Sequence, residues 1–381
     1  MLTRPLKLMM ALITLIAVTA CSSSGGTMPD PTPLESFKKQ VQLVKHWSVS
    51  VGKGHANSGS VIEPILTDAG VYAAAGQQLG LFDLNTGKVS WKVDLADQIT
   101  SGVGHNEQQL FVATRSGKLV SLNGSDGSEL WRVNTSSEAL AVPQAFGKVV
   151  VVQTIDGKVS AYSVDNGLFQ WSYAANLPSL TLRGTSAPLV TQHYTYAGFA
   201  SGKLVALDNQ TGAVVWEKSI GSAQGRSEIE RLVDIDGALT LSNGVLYVTS
   251  YQGNIAALDA LTGAVQWEQP LSSISGTAFV GTAIIVVDAQ DMVLAYDKDQ
   301  GHVLWQNAAL QHRSLAAPMN LANQILVVDS EGYAHVLGLS DGGFLGRQQI
   351  GTKGANIGSV SVQDDIFLLS QDGRLTRLGL K

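Results

Sequence analysis

Most of the chain alternates short apolar runs with polar breaks. "LVAL" (Leu204–Leu207), "IAAL" (Ile255–Leu258) and "VLAY" (Val293–Tyr296) each precede a polar turn and a second run that ends in Trp. Runs of this length and composition predict β-strands. Asp83, Asp208, Asp259 and Asp297 stand four residues before Gly87, Gly212, Gly263 and Gly301. An Asp at a strand end bonds the amides of a turn, and Gly takes the positive φ that the turn needs. Another apolar run lies upstream of each unit, such as "GVLYVTS" or "QILVVDS". With one strand before that, each unit makes about four strands.

The units repeat. "GKLVALDNQTGAVVW" (Gly202–Trp216) matches "GNIAALDALTGAVQW" (Gly253–Trp267), and further copies end at Trp131, Trp171, Trp305 and Trp91. In each copy the first position lies 14 residues before the Trp. A degenerate copy starts at Gly332 and carries Gly346 where Trp is expected, a departure that predicts one weakened contact. An eighth copy starts at Gly373, and Trp47 near the N-terminus is the one Trp outside the other copies. Units of about 40–45 residues with four strands predict a β-propeller. The expected fold class is therefore all-β: an eight-bladed β-propeller over residues 41–381, with four-stranded blades and Trp-docking repeats. The N-terminal strand bearing Trp47 is expected to close the last blade and remove an open edge. Two separate sandwiches would need a linker, and none is visible.

Length variation is confined to the stretch between a Trp and the next repeat start. That gap is 26 residues from Trp131, 31 from Trp171 and 37 from Trp216, against an ordinary 24–27 and 30 in the closing segment. The two largest excesses fall in consecutive blades, where equivalent loops lie side by side and build one patch. The first insertion is "NLPSLTLRGTSAP", with Leu180, Leu182 and Arg183. The second contains "GRSEIERLVDID". In it Ser227 and Glu230 have capping-box spacing, which predicts a short helical turn with Ile229, Leu232 and Val233 on its apolar side. Asp234 and Asp236 flank Ile235. Exposed Leu beside Arg and paired Asp gives an apolar centre with a charged rim, as in protein interfaces. Local packing under long loops is the alternative.

Composition narrows the chemistry. The net charge of −6 argues against a general nucleic-acid binder. One Cys excludes a disulfide framework and any Cys-rich metal or haem site. The 7 His show no metal-ligand spacing. Asp234-x-Asp236-Gly lacks the later ligands of a calcium loop. Gly102-Val103-Gly104 lacks a phosphate-loop context, and no Gly-x-Ser-x-Gly elbow occurs. The expectation is no catalytic residues, no metal and no cofactor. At the N-terminus, Arg4 and Lys7 precede the apolar Leu8–Ala20, which predicts a signal peptide over residues 1–20. "VTAC" resembles the bacterial lipoprotein cleavage box, so Cys21 is the expected lipid anchor, followed by a flexible tether over 21–40. Ser22 in place of Asp implies, by resemblance to lipoprotein sorting, the outer membrane with the folded part in the periplasm.

Two family resemblances follow. "ALDxxTGxxxW" resembles the repeat of the quinoprotein dehydrogenases, which makes the repeats PQQ-like and a periplasmic dehydrogenase one alternative. The repeat Asp and Trp are already explained as turn and packing residues. The whole mature chain, and "LTLRGTSAP" with "EIERLVDID" in particular, resembles the BamB family of outer-membrane β-barrel assembly lipoproteins. That resemblance implies a non-catalytic scaffold of the BAM complex that binds BamA through its POTRA domains. It implies contact residues Leu180, Leu182, Arg183, Asp234 and Asp236. Direct binding of nascent outer-membrane proteins by blade edges is a further alternative. The seven packing positions are Trp47, Trp91, Trp131, Trp171, Trp216, Trp267 and Trp305.

Overall fold

The computed structural model describes residues 29–54, 61–181, 184–221, 226–227, 229–230, 232–351 and 358–381. Among these, every regular element is a strand, and the strands form eight four-stranded antiparallel sheets. Seven sheets are continuous, from Ile65–Asp94 (blade one) to Met319–Gln349 (blade seven). The eighth takes three strands from Gly358–Leu380 and its outermost strand from Leu43–Ser50. The propeller is thus the predicted one, N-terminal closure included.

The two middle strands of each blade are buried on both faces, which is why they read as nearly unbroken apolar runs. In blade three, Val150 and Val152 pack with Phe111 and Leu119 of blade two. The intervening Val151 packs with Ala197, Phe199 and Val205 of blade four. Neighbouring residues thus serve opposite neighbours. Each fully buried Val is worth about 1.5–3 kcal/mol, so the core is spread around the ring.

The repeat Trp residues fasten one blade to the next. The indole Nε1–H of Trp47 donates to Leu84 O at 3.0 Å, that of Trp171 to Asn209 O at 2.7 Å, and that of Trp305 to Leu339 O at 2.7 Å. The other four do the same. Each ring lies over the Gly of that turn. A Cβ on Gly301 would sit 2.4 Å from the Trp267 ring, at a φ of +73°. The Asp before the Gly organises the turn as expected. Asp208 Oδ1 accepts from the Gln210 and Thr211 amides and from the Thr211 hydroxyl at 2.8–3.1 Å.

Just before each Trp the register slips by one residue. Trp171 opposes Ala161 while Phe169 opposes Tyr162, so Gln170 is bulged. The same irregularity recurs before Trp91, Trp131, Trp216, Trp267 and Trp305. It also recurs in the N-terminal strand, between Lys45 and Trp47. A bulge bends the strand and re-aims the next side chain, here towards the neighbouring blade.

Two sequence expectations change. Gly346 does not leave a weak contact. Its Trp would have docked on a turn joining the last two strands of blade eight, and no such turn joins them, because Leu43–Ser50 comes from the N-terminus. The site is filled by Val41, whose carbonyl would lie 2.9 Å from a Cβ on Gly346; the Gln40 and Val41 amides bond Leu345 O. The folded unit also begins at Thr32 rather than at residue 41. Thr32–Gln40, expected as tether, runs along blade seven. Arg313 Nη1 donates to Thr32 O at 2.9 Å, Arg347 Nη1 donates to Glu35 O at 2.8 Å, and Phe37 stacks on Phe344. Arg313 is held in turn by buried Asp329 at 2.7 Å and by Glu331. Burial works to raise the Asp329 carboxyl, but hydrogen bonds from His335, the Tyr333 amide and Arg313 bring it below its ordinary range.

Candidate functional site

The two insertions occupy the connections from blade three to blade four and from blade four to blade five, on the face of the Trp-to-next-blade loops. They meet. Ser186 Oγ of the first donates to Gly237 O of the second at 3.0 Å, both buried. A Cβ on Gly184 would strike the Asp236 carboxylate at 2.8 Å, so glycine is what lets the loops close together. The expected single patch is therefore formed.

The sequence "VDID" turns back into the body rather than lining a rim. Val233 packs where Gly202 and Gly221 leave room, and Ile235 packs against Gly198, with its amide bonded to Phe199 O at 3.3 Å. Asp234 is 2 % exposed and its carbonyl accepts from the Tyr251 amide at 2.7 Å, tying the insertion to blade five. Asp236 is half-buried beside Gly184, and burial pushes its carboxyl up to about 6. The expectation of an exposed acidic rim is thus corrected: both Asp side chains are set into the loop junction because alternate residues on either side are needed for the core. Leu180 is exposed as expected. Leu182 and Arg183 lie outside the described residues, as does Cys21.

The capping box is present without a helix. The Glu230 amide donates to Ser227 Oγ at 3.2 Å, and the Glu230 carboxylate accepts from the Arg226 and Ser227 amides. A single turn follows, with Leu232 N bonded to Ile229 O at 3.3 Å. Of the predicted apolar side, Val233 is buried, Leu232 half-buried and Ile229 67 % exposed. Gln252 Nε2 donates to Ile229 O and props this tip.

Two exposed residues of the same face escaped the sequence reading: Ile155, in a turn between middle strands of blade three, and Ile274, in the connection from blade five to blade six. Neither lies in an insertion, so gap length gave no signal. With Leu180 and Ile229 they give an apolar face beside the junction. A cavity of about 380 Å³ opens there between blades three and four, lined by Ile155, Leu177, Gln153, Thr185, Phe199 and Asp234 among others. Among the described residues, no group of three or more His, Cys, Asp or Glu is placed to hold a metal.

Comparison with known proteins fits this architecture. The family model described as outer membrane protein assembly factor BamB matches residues 75–307 and 253–380. The chain is 39% identical over 361 residues to the protein of that name from Pseudomonas aeruginosa, covering 94% of this chain and 95% of the relative. It superposes on the crystal structure of BamB from Moraxella catarrhalis with a TM-score of 0.80, at 30% identity, covering 89% of this chain and 100% of that one. The quinohemoprotein alcohol dehydrogenase of Comamonas testosteroni gives a TM-score of 0.70 at 13% identity, covering 88% and 76% of the two chains, a likeness of fold alone.

Proposed function

This chain belongs to the family of the outer membrane protein assembly factor BamB, and on that premise we propose that it is a non-catalytic scaffold of the outer-membrane protein assembly machinery. It docks BamA through POTRA domains and so assists insertion of β-barrel proteins. The observation that carries this reading is the junction of two adjacent insertions, which leaves Leu180 and Ile229 exposed over a rigid base. In this reading Leu180, Leu182 and Arg183 meet the partner. Asp234 and Asp236 act from the loop junction, fixing the loop that presents the contact. Apolar anchors inside a polar rim carry most of the energy of such contacts. Cys21 carries the lipid, anchoring the protein to the outer membrane on its periplasmic side.

The test is co-purification from solubilised membranes. Leu180→Asp or Ile229→Asp is expected to abolish recovery of BamA while leaving the melting temperature of the purified protein unchanged. Undiminished recovery by both variants would sink the docking reading. Labelled palmitate is expected to enter the wild type and not Cys21→Ala.

One observation favours direct binding of nascent chains as a second role. The bulge before each Trp turns two successive apolar residues outward on some outermost strands, such as Val214 with Val215 and Val303 with Leu304. Photocrosslinks to unfolded substrates from these positions, and not from Ile229, are the result that would support it. The dehydrogenase alternative is the weaker reading. Its support is a likeness of fold alone, at 13% identity to the quinohemoprotein alcohol dehydrogenase. The absorbance spectrum of protein purified from its source is expected to show no quinone band.

A further inference from the structure

The strap Thr32–Gln40 is held to blade seven by a buried cluster centred on His335. His335 lies on the third strand of the blade, directly opposite Arg347 of the outermost strand, and is fully buried. Arg347 Nε donates to His335 Nδ1 at 3.1 Å, and His335 Nε2 meets Asp329 Oδ2 at 3.0 Å. A guanidinium has donors only, so Nδ1 is the acceptor and carries no proton. Nε2 therefore bears the hydrogen and donates to Asp329, and the imidazole is neutral. Arg347, oriented by that bond, donates through Nη1 to Glu35 O at 2.8 Å and lies 5.0 Å from the ring centroids of Phe37 and Phe344. One imidazole nitrogen thus sets the arginine that grips the middle of the strap.

The groups facing His335 fix what a second proton does. Asp329, at the end of the second strand, already accepts from His335, from Arg313 and from the Tyr333 amide. Arg313, from the connection between blades six and seven, is bound by Asp329 and Glu331. Tyr333 shares the strand, its ring 6.3 Å away. On the blade-six side the sheet meets apolar Leu310, Trp305 and the strap's own Leu34. The charged residues of the strap, Glu35, Lys38 and Lys39, are exposed. A proton on Nδ1 sets N–H against the Arg347 N–H and puts a third cation beside two. Burial holds the imidazole below its ordinary 6.5, against the pull of Asp329 and with Arg347 and Arg313 adding to the depression. The clasp is therefore intact above about pH 6.5 and lost as pH falls through that lower value.

We propose that the strap is a proton-released clasp: protonation of His335 at Nδ1 displaces Arg347 from Glu35 and Phe37 and frees Thr32–Gln40 from blade seven. With Arg347 gone, hydrogen bonds at Thr32 and the Leu34 contact are left to order the strap, whose backbone entropy favours release. Release moves the point where the chain leading to Cys21 leaves the ring from Thr32 to Val41, that is, from eleven residues beyond that Cys to twenty. On the lipid-anchor reading above, on which this consequence alone rests, the strap sets how much chain separates the anchor from the propeller.

The test is hydrogen exchange of the full mature chain at pH 7.5 and about pH 4.5, corrected for intrinsic rates. In wild type, protection of Thr32–Gln40 is expected to fall about tenfold or more at the lower pH while the closing strand Leu43–Ser50 stays protected. His335→Gln keeps a neutral donor and acceptor and is expected to hold the strap at both values. Arg347→Met is expected to lose strap protection at both, with the closing strand unchanged. Wild-type protection unchanged at the lower pH, or lost equally in His335→Gln, overturns the proposal. Loss at the closing strand alongside the strap means that acid loosens the ring, and overturns it too. Should His335→Gln not fold, nitrogen-15 spectra of histidine-labelled wild type decide. A buried His with its proton on Nε2 at pH 7.5, gaining the second as the strap opens, supports the clasp; a proton on Nδ1 at pH 7.5 sinks it. Energy transfer from the tryptophans to dansyl-labelled phosphatidylethanolamine, in vesicles bearing the lipidated protein, is expected to fall at the lower pH in wild type and not in His335→Gln. Equal transfer alongside a released strap removes the anchor consequence and leaves the clasp.

Discussion

At the residue scale, a glycine's cost of replacement depends on what lies above it. Gly301 and Gly147 both have positive φ, +73° and +57°. A methyl on Gly301 would meet the Trp267 ring, whereas Gly147 faces open space. Gly301→Ala is expected to lower stability by about 2–5 kcal/mol, from left-handed backbone plus overpacking, and Gly147→Ala by only about 1–2 kcal/mol. Guanidinium denaturation of the two variants checks the contrast; equal losses would deny the Trp its role. Asp236 gives a second prediction. Its folded carboxyl titrates at about 6, above the ordinary 3.8, because burial disfavours the charge. The stability present below pH 4 is therefore lost as pH rises through about 6. At about 1.4 kcal/mol per pH unit, the difference corresponds to roughly 3 kcal/mol at pH 7.5. Asp236→Asn is expected to exceed wild type by up to that amount at pH 7.5 and to lose the advantage by pH 4, in urea unfolding at both values.

At the element scale, the strands of each blade were legible because two-sided burial and turn chemistry leave strong patterns. The Asp-x-x-x-Gly turn and its Trp fixed where a blade hands over to the next. Gap lengths located the insertions, and their contact follows from lying in adjacent blades. What the pattern could not show was direction. Asp234 and Asp236 are charged, yet Ile235 between them must reach the Gly198 pocket, and that draws both carboxylates inward. Ile155 and Ile274 sit in connections of ordinary length, where exposure leaves no mark in spacing. The capping box was legible, but three residues further on Val233 is claimed by the core, so the turn ends before a helix forms. These loops are stiffened by bonds to neighbouring blades, so Ser186→Ala is expected to reduce BamA recovery several-fold with a loss of about 1 kcal/mol in stability. Parallel pull-downs and melts of Ser186→Ala separate the two effects; full recovery would mean the junction is not what presents the contact.

At the scale of the whole molecule, Gly346 shows that one irregularity in the repeat answers another. The blade that lacks a receiving turn is faced by the blade that lacks the Trp. Gly346→Trp is expected to destabilise by about 1–3 kcal/mol and to displace Val41, since no space is left for the ring. Limited proteolysis should then cut within Thr32–Val41 at lower protease than in wild type. The pairing of Leu43–Ser50 with Arg374–Leu380 has a further consequence in time. The partners Leu43 and Leu380 are separated by nearly the full chain, so the entropy of bringing them together is the largest of any strand pair, about 5 kcal/mol on a logarithmic loop estimate. The earliest strand to leave the ribosome must wait, unpaired, for the last. A shortened translation product, however many blades it holds, keeps that strand exposed to proteases, so the ring reports on its own completeness.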